Sequence, residues 1–139
     1  MIKNSDEKAH WFLLPLDFNP KQENFTIEAS ITQLSGVENY GYGLVWGVYN
    51  DNSAYHKFFV SGDGKVKLDH YHGKKGHKYF GWKAHEAVNP MKQANIFKVV
   101  RNANLVTVFL NGKEIYHGGK FAYFGRKIGF YVQYEMKIK

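Results

Sequence analysis

Residues 128–138 of the chain read Ile-Gly-Phe-Tyr-Val-Gln-Tyr-Glu-Met-Lys-Ile, and apolar or aromatic side chains occupy every even-numbered position. The odd-numbered positions hold Gly129, Tyr131, Gln133, Glu135 and Lys137. A period of two residues is typical of a β-strand that buries one face. The stretch therefore predicts a long strand near the end of the chain, with Phe130 and Val132 pointing into the core.

The same period recurs over most of the sequence, in residues 25–31 and 106–110 and at Leu44, Trp46 and Val48, which are predicted to share one face. Turn signals such as Gly62-Asp63-Gly64 and Asn111-Gly112 separate these runs at the spacing expected of an all-β sandwich or barrel. About ten or eleven strands result, too many for one open sheet of this size. The sequence therefore predicts an all-β fold, a two-sheet antiparallel β-sandwich.

The length of 139 residues corresponds to one domain, and we predict a single β-sandwich domain over residues 1–139 with a lead-in segment at 1–10. The chain has no cysteine, which excludes a disulfide framework, a thiol nucleophile and a Cys-ligated metal site. No apolar run approaches the roughly 20 residues of a membrane span, and the first residues are too polar for a secretion signal. We expect a soluble chain without signal peptide or transmembrane segment.

The net charge of +7 is spread unevenly along the chain. Residues 1–63 contain four basic and eight acidic side chains, whereas residues 64–101 contain nine basic and two acidic ones. A basic segment could meet acidic sugars, phosphates or an acidic protein surface. Dispersed lysines also keep exposed strand edges soluble, and their spacing here favours that interpretation. Interleaved lysines and rings leave single-stranded nucleic acid as an alternative partner, but no nucleic-acid-binding motif accompanies them, so we do not predict it.

Five stretches carry a resemblance to a known family. Three are residues 25–31 (Phe-Thr-Ile-Glu-Ala-Ser-Ile), 42–47 (Tyr-Gly-Leu-Val-Trp-Gly) and 55–65 (Tyr-His-Lys-Phe-Phe-Val-Ser-Gly-Asp-Gly-Lys). The other two are residues 106–115 (Val-Thr-Val-Phe-Leu-Asn-Gly-Lys-Glu-Ile) and 128–132 (Ile-Gly-Phe-Tyr-Val). Together they resemble bacterial concanavalin A-like (laminin-G-like) jelly-roll modules of the lectin/glucanase superfamily. The resemblance spans residues 24–138 and implies a jelly-roll sandwich. This fold carries lectins, glycanases and interaction modules, so the fold alone does not give the function.

The resemblance also permits a test for an enzyme. Glycanases of this fold resemble one another in a Glu-x-Asp-x-x-Glu strand, because glycoside hydrolysis requires two carboxyl groups about 5.5 Å apart or somewhat further. No predicted strand of this chain carries acidic residues at i and i+2, and no Gly-x-Ser-x-Gly sequence occurs. We predict no catalytic residues and no enzyme.

Exposed aromatic rings beside polar side chains are suited to saccharides, because rings stack on the C–H faces of sugars. Residues 65–83 break the alternation, so their rings are not all committed to a core. The predicted ligand-binding residues are Tyr71, His72, Trp82, Lys74 and Asn50, with Tyr49 as a further exposed ring. Trp46 shares the parity of core residues and is assigned to the core.

Two groups of residues raise the question of a metal. His70 and His72 lie at i and i+2, with His77 and His85 downstream, and we interpret them as a solvated histidine cluster. The loop Asn50-Asp51-Asn52 with Asp63 offers oxygen ligands for calcium, but turn formation explains the loop better. We predict no metal site and no cofactor, with calcium as the alternative.

The sequence thus predicts a non-catalytic recognition module that binds a glycan or polysaccharide. A structural or protein-interaction domain of a larger protein is the alternative, and a glycan-processing enzyme is the third hypothesis.

Overall fold

The computed structural model describes residues 1–5, 8–14, 19, 24–73, 75–103, 105–119 and 125–139. All regular secondary structure in these residues is β-strand. The strands are β1 (Ile2–Asn4), β2 (His10–Leu14), β3 (Asn24–Gly36), β4 (Gly41–Val48), β5 (Ala54–Ser61), β6 (Lys65–His72), β7 (Lys75–Ala84), β8 (Ala94–Asn102), β9 (Leu105–Leu110), β10 (Lys113–Gly119), β11 (Lys127–Val132) and β12 (Met136–Ile138). Within these ranges, no helix has the length and apolar character that a membrane span requires.

The strands form two six-stranded sheets. Sheet A has the order β1-β12-β3-β8-β9-β10, and sheet B has the order β2-β11-β4-β5-β6-β7. Every described pairing is antiparallel. The predicted two-sheet antiparallel sandwich is confirmed.

The core lies between the sheets, and each contributing strand buries every second side chain there, as its period requires. The core includes Leu44, Trp46, Phe58, Val60, Val66 and Leu68 of sheet B and Ile31, Phe97, Val99, Val106, Val108 and Leu110 of sheet A. Burial of a side chain of this size contributes about 1.5–3 kcal/mol to stability. The faces predicted for residues 25–31 of β3 and 106–110 of β9 are therefore correct, and Trp46 belongs to the core as assigned.

The end of the chain differs from the prediction of one long strand. β11 belongs to sheet B and β12 to sheet A, and residues 133–135 carry the chain from one sheet to the other. Tyr134 lies in the left-handed region with a φ of 62° at this crossing. Alternation persists across the break because both strands face the same core, so the sequence pattern does not reveal it.

The first ten residues also differ from the prediction of a lead-in. β1 pairs with β12, Ile2 opposite Ile138, and forms an edge of sheet A. Asn4 is buried, and its side-chain amide donates hydrogen bonds to the carbonyl oxygens of Lys8 and Tyr134. The bond to Tyr134 attaches the amino-terminal segment to the crossing between β11 and β12.

A bulge in β4 changes the face of one predicted core residue. Gly47 has a φ of +61°, a region that glycine enters without steric cost, and the β4–β11 register shifts beside it. Val48 consequently packs with Val45 and Phe59 on the other face of sheet B, not with Leu44 and Trp46. The prediction for Val48 is wrong for this reason. The Gly118-Gly119 pair has the composition of a loop, but both glycines lie in β10.

Candidate functional site

The face of sheet B that points away from the core carries the candidate site. The hairpin of β5 and β6 pairs Tyr55 with Tyr71, Lys57 with Asp69 and Phe59 with Lys67. Paired residues of antiparallel strands point to the same side of the sheet. Since Phe58 lies in the core between Lys57 and Phe59, these three pairs all lie on the outer face.

Aromatic rings contact one another across this face. The Trp11 ring meets the Tyr55 and Tyr131 rings edge-on, with centroids 4.5 and 5.0 Å apart. Tyr55 stacks on Tyr71 at 5.1 Å, and Phe59 stacks on Tyr131 at 5.0 Å. Phe59 is fully buried, whereas the Trp11, Tyr55, Tyr71 and Tyr131 side chains are half-buried. We call the set Trp11, Tyr55, Phe59, Tyr71, Trp82 and Tyr131 the aromatic face.

Trp82 is the most exposed ring of the aromatic face, with 38% of its surface accessible. Two register shifts between β6 and β7 accompany the loss of strict alternation in β7. A Cβ atom on Gly41 would lie 2.7 Å from Trp82 Cη2 and 2.7 Å from Phe59 Cδ2. The glycine at position 41 therefore makes the space in which the edge of the Trp82 indole meets Phe59.

Three charged side chains lie among these rings. Asp69 Oδ2 lies 3.2 Å from Lys67 Nζ, and Asp69 Oδ1 lies 3.9 Å from Lys57 Nζ. Lys57 and Asp69 are buried, and the side chain of Lys67 is 15% exposed. We call Lys57, Asp69 and Lys67 the charge triad. It contains two ammonium groups and one carboxylate, so its formal charge is positive.

The rings also surround the Lys57 ammonium. Its Nζ lies 4.7 Å from the centroid of Phe59, 5.0 Å from that of Tyr71 and 5.1 Å from that of Tyr131. Cations are attracted to ring faces at these distances. Lys67 makes a longer contact of this kind, with its Nζ 5.9 Å from the ring centroid of Trp82.

Burial shifts the pKa values of several groups here. Burial lowers the pKa of Lys57, while the Asp69 carboxylate acts in the opposite direction. Burial raises the pKa of Tyr55 and of Tyr131, and the neighbouring Tyr71 and Asp69 raise both further. Both phenols therefore remain protonated at neutral pH and can donate hydrogen bonds.

The arrangement provides the elements of binding: apolar ring faces, ammonium donors and phenol donors on one surface. Asp69 is the only carboxylate within the six described strands of sheet B. Glycoside hydrolysis by acid–base catalysis uses two carboxyl groups on either side of the scissile bond. The described strands of this face therefore lack the pair that such catalysis uses.

The structure brings together two of the predicted ligand-binding residues. Tyr71 and Trp82 share the aromatic face, one beside Lys57 and the other beside Lys67. His72 is exposed but follows Tyr71 directly in β6, so its side chain points to the other side of the sheet. Lys74 lies outside the described residues.

Tyr49 and Asn50 lie in the turn between β4 and β5, apart from the charge triad. Tyr49 is 46% exposed. The carbonyl oxygen of Asn50 accepts a hydrogen bond of 2.7 Å from Lys127 Nζ, which also donates to Asn52 Oδ1 at 3.2 Å. An ammonium group thus contacts oxygens that were considered for calcium.

The candidate metal ligands are not assembled by the described residues. Asp63 lies at the opposite end of β5 from Asn50 and pairs with Lys65 at 3.0 Å. His85 Nδ1 accepts a hydrogen bond from the Ala87 amide, and the side chain of His77 lies outside the described set. Among the residues described, no group of three or more His, Cys, Asp or Glu side chains could hold a metal ion.

Sequence reasoning missed Trp11, Lys57, Phe59 and Tyr131 as members of this face. A signal for two of them was present, because a hairpin turning on Asp63 pairs Lys57 with Asp69 and Phe59 with Lys67. Trp11 and Tyr131 arrive through the β2–β11 pairing, which joins distant parts of the chain.

Comparison with known proteins supports the fold. No known protein family and no curated protein sequence matches the chain. The chain is similar in structure to the carbohydrate-binding module CBM66 from Bacillus subtilis, with a TM-score of 0.76, 12% identity, and coverage of 98% of this chain and 80% of that one. Sheep galectin-11, solved in complex with glycerol, matches with a TM-score of 0.65, 14% identity, and coverage of 97% and 98%.

Domains LG4-5 of the mouse laminin alpha1 chain match with a TM-score of 0.53 and 14% identity, over 91% of this chain and 32% of that one. The likeness to all three confirms the fold implied by the sequence resemblance. The chain has the concanavalin A-like lectin/glucanase jelly-roll fold.

Proposed function

We propose that the protein is a non-catalytic carbohydrate-recognition module that binds glycans on the aromatic face of sheet B. The observation that carries the proposal is that the exposed ring of Trp82 and the half-buried ring of Tyr71 share one surface with the lysines of the charge triad. The similar solved structures include a carbohydrate-binding module and a galectin, which supports the same function.

The aromatic face combines buried side chains, which are held in place, with rings that a ligand can contact. Phe59 and Lys57 are buried, and their contacts with each other and with Tyr131 hold that ring in place. A sugar that stacks on Trp82 contacts the indole through its C–H groups, while its hydroxyls meet the Lys67 ammonium and tyrosine hydroxyls. A preformed site of this kind loses little conformational entropy on binding.

The test is a glycan array at two salt concentrations, followed by calorimetry on the glycans that bind. We expect Trp82→Ala to weaken binding by about 1–3 kcal/mol, with stacking of nucleic-acid bases on rings as the calibrated analogue. Because Trp82 is partly exposed, we expect the free energy of unfolding to change by no more than about 1 kcal/mol.

Tyr49→Ala is the matched control, because it removes an exposed ring in the β4–β5 turn. We expect it to leave affinity unchanged. Loss of binding in this variant, with Trp82→Ala unaffected, would place the site at the turn. An array without any bound glycan, with capture of a protein partner, would favour the interaction-domain alternative, and release of reducing sugar would favour an enzyme.

A further inference from the structure

The two sheets differ in their charge. The strands of sheet B contain seven lysines and one acidic residue, whereas the strands of sheet A contain five basic and two acidic residues. The excess of cations therefore lies in the sheet that carries the aromatic face. A positive surface raises the local concentration of an anionic ligand and speeds its association.

The charge triad fixes part of this excess within the aromatic face. Asp69 can balance only one of its two ammonium neighbours, Lys57 at 3.9 Å and Lys67 at 3.2 Å. Charges in a partly desolvated setting interact more strongly than charges in bulk water and are screened less by salt. An incoming anion would find a held ammonium group that has already lost part of its hydration.

Lys67 is the member of the triad that a ligand can reach. Its side chain is 15% exposed, and its Nζ lies 5.9 Å from the centre of the exposed Trp82 ring. Lys78 lies opposite Asp69 on β7 and is exposed. A sugar stacked on Trp82 would thus have an ammonium within reach of its edge.

We propose that the glycan bound by this face carries carboxylates, that is, a polysaccharide containing uronic acid, with Lys67 as the principal contact of the carboxylate and Lys78 as the second. The inference rests on the proposed function, because it names the class of sugar bound at the same site. A phosphate-rich polymer fits less well, since following its backbone requires an exposed row of cations. Here Lys57 is buried, so the lysines of the aromatic face form no exposed row.

The experiment compares each acidic glycan with its own carboxyl-reduced form, in which the carboxylate becomes a primary alcohol and the backbone is kept. Oligosaccharides of polygalacturonate, alginate and hyaluronan are titrated calorimetrically as three such pairs, together with the neutral glycans that bind on the array. For at least one pair we expect the acidic form to bind about tenfold more tightly, as one charge-assisted hydrogen bond provides.

Variants assign this preference to the named residues. Lys67→Gln should abolish the preference for the acidic form, because it removes the charged contact. Affinity for the reduced form should fall by less than affinity for the acidic form, because the Gln amide still donates hydrogen bonds to hydroxyls. Lys67→Arg should retain the preference. Lys78→Gln, a change at an exposed position, should reduce it in part even if Lys67→Gln proves unstable. Lys98→Gln on sheet A is the control for net charge and should have no effect.

Each other outcome is decisive. Equal or stronger binding of the reduced forms, or array hits confined to neutral glycans, would overturn this inference and leave the proposed function intact. Failure to bind any glycan, neutral or acidic, would overturn the proposed function and the inference with it. Similar binding to polyglutamate and DNA, reduced equally by Lys98→Gln and Lys67→Gln, would show unspecific attraction and overturn the inference.

Discussion

Lys57 carries a buried charge on the outer face of sheet B, the face that points away from the core. Its ammonium lies among three aromatic rings, and its Nζ is 3.9 Å from Asp69 Oδ1. Desolvation of the charge is costly, and ring faces together with one carboxylate replace only part of the lost water. A buried pair of this kind adds little net stability, but removal of one partner leaves the other as a buried charge without a counterion.

We therefore expect Asp69→Ala to lower the free energy of unfolding by about 3–5 kcal/mol, because it leaves Lys57 buried without a counterion. Urea denaturation at neutral pH measures the change. Glu28→Ala is the control: Glu28 and Lys98 form an exposed pair at 3.8 Å on sheet A, whose loss should cost about 1 kcal/mol or less. Equal losses in the two variants would contradict the description of the charge triad as a desolvated unit.

At the scale of the element, β5 is buried on both faces. Phe58 packs in the main core, with its ring 5.1 Å from that of Phe97, and Phe59 packs beneath Tyr131 on the aromatic face. Both phenylalanines are fully buried. The strand therefore has two hydrophobic sides, although one of them belongs to the surface that we assign to ligand binding.

Truncation of either ring should be costly. We expect Phe58→Ala and Phe59→Ala each to lower the free energy of unfolding by about 3–5 kcal/mol, through lost burial and the cavity that remains. Urea titration of the two variants provides the measurement. If Phe59→Ala alone lowered the free energy of unfolding by less than about 1 kcal/mol, water would have access to the Phe59 ring, and its description as buried would be wrong.

The sequence predicts the elements unevenly, for physical reasons that particular residues make clear. Alternation gives the faces of β3 and β9, because residues 25–31 and 106–110 keep strict parity. It fails at Val48, where the positive φ of Gly47 inserts a bulge that side-chain polarity does not encode. It also misses the boundary at Tyr134, because the strands on either side bury side chains in one shared core.

The site is less predictable than the fold. Tyr71 and Trp82 could be selected because they lie in one segment of broken alternation. Trp11 and Tyr131 could not, since they reach the aromatic face through pairing between strands more than one hundred residues apart in the sequence. Local pattern predicts that two sheets form, but the order of strands within them depends on such long-range pairs.

At the scale of the whole molecule, the buried tyrosines give stability a dependence on alkaline pH. Burial raises the pKa of Tyr42, Tyr55 and Tyr131 in the folded state. Their contribution is fully present below about pH 10, the unfolded value, and is lost as the pH rises through the raised values. Lys57 acts oppositely: its lowered pKa means that deprotonation relieves a cost of folding, so its contribution rises with pH up to about 10.5.

We expect the free energy of unfolding to fall above about pH 10, with each of the three phenols adding up to ~1.4 kcal/mol per pH unit to the slope. Urea titrations at intervals from pH 8 to about 11.5, with phenolate absorbance recorded in parallel, provide the measurement. Tyr55→Phe removes one titrating group and should make the slope shallower. A free energy of unfolding that is flat across this range would contradict the burial of these phenols.

The position of β7 at the edge of sheet B has a consequence for how the aromatic face moves. β7 carries Trp82 and Lys78 and, among the described strands, pairs with β6 alone, whereas β5, two strands further into the sheet, has a neighbour on each side. Edge strands open locally at a lower free energy than central ones, so amide hydrogens of β7 should exchange with solvent long before those of β5. β7, at the edge of the aromatic face, can therefore open locally, whereas β5 opens when the whole sandwich unfolds. A glycan that contacts both strands would slow amide hydrogen exchange in β7 and leave it unchanged in β5. Binding would therefore be detected as a slower exchange rate in one strand.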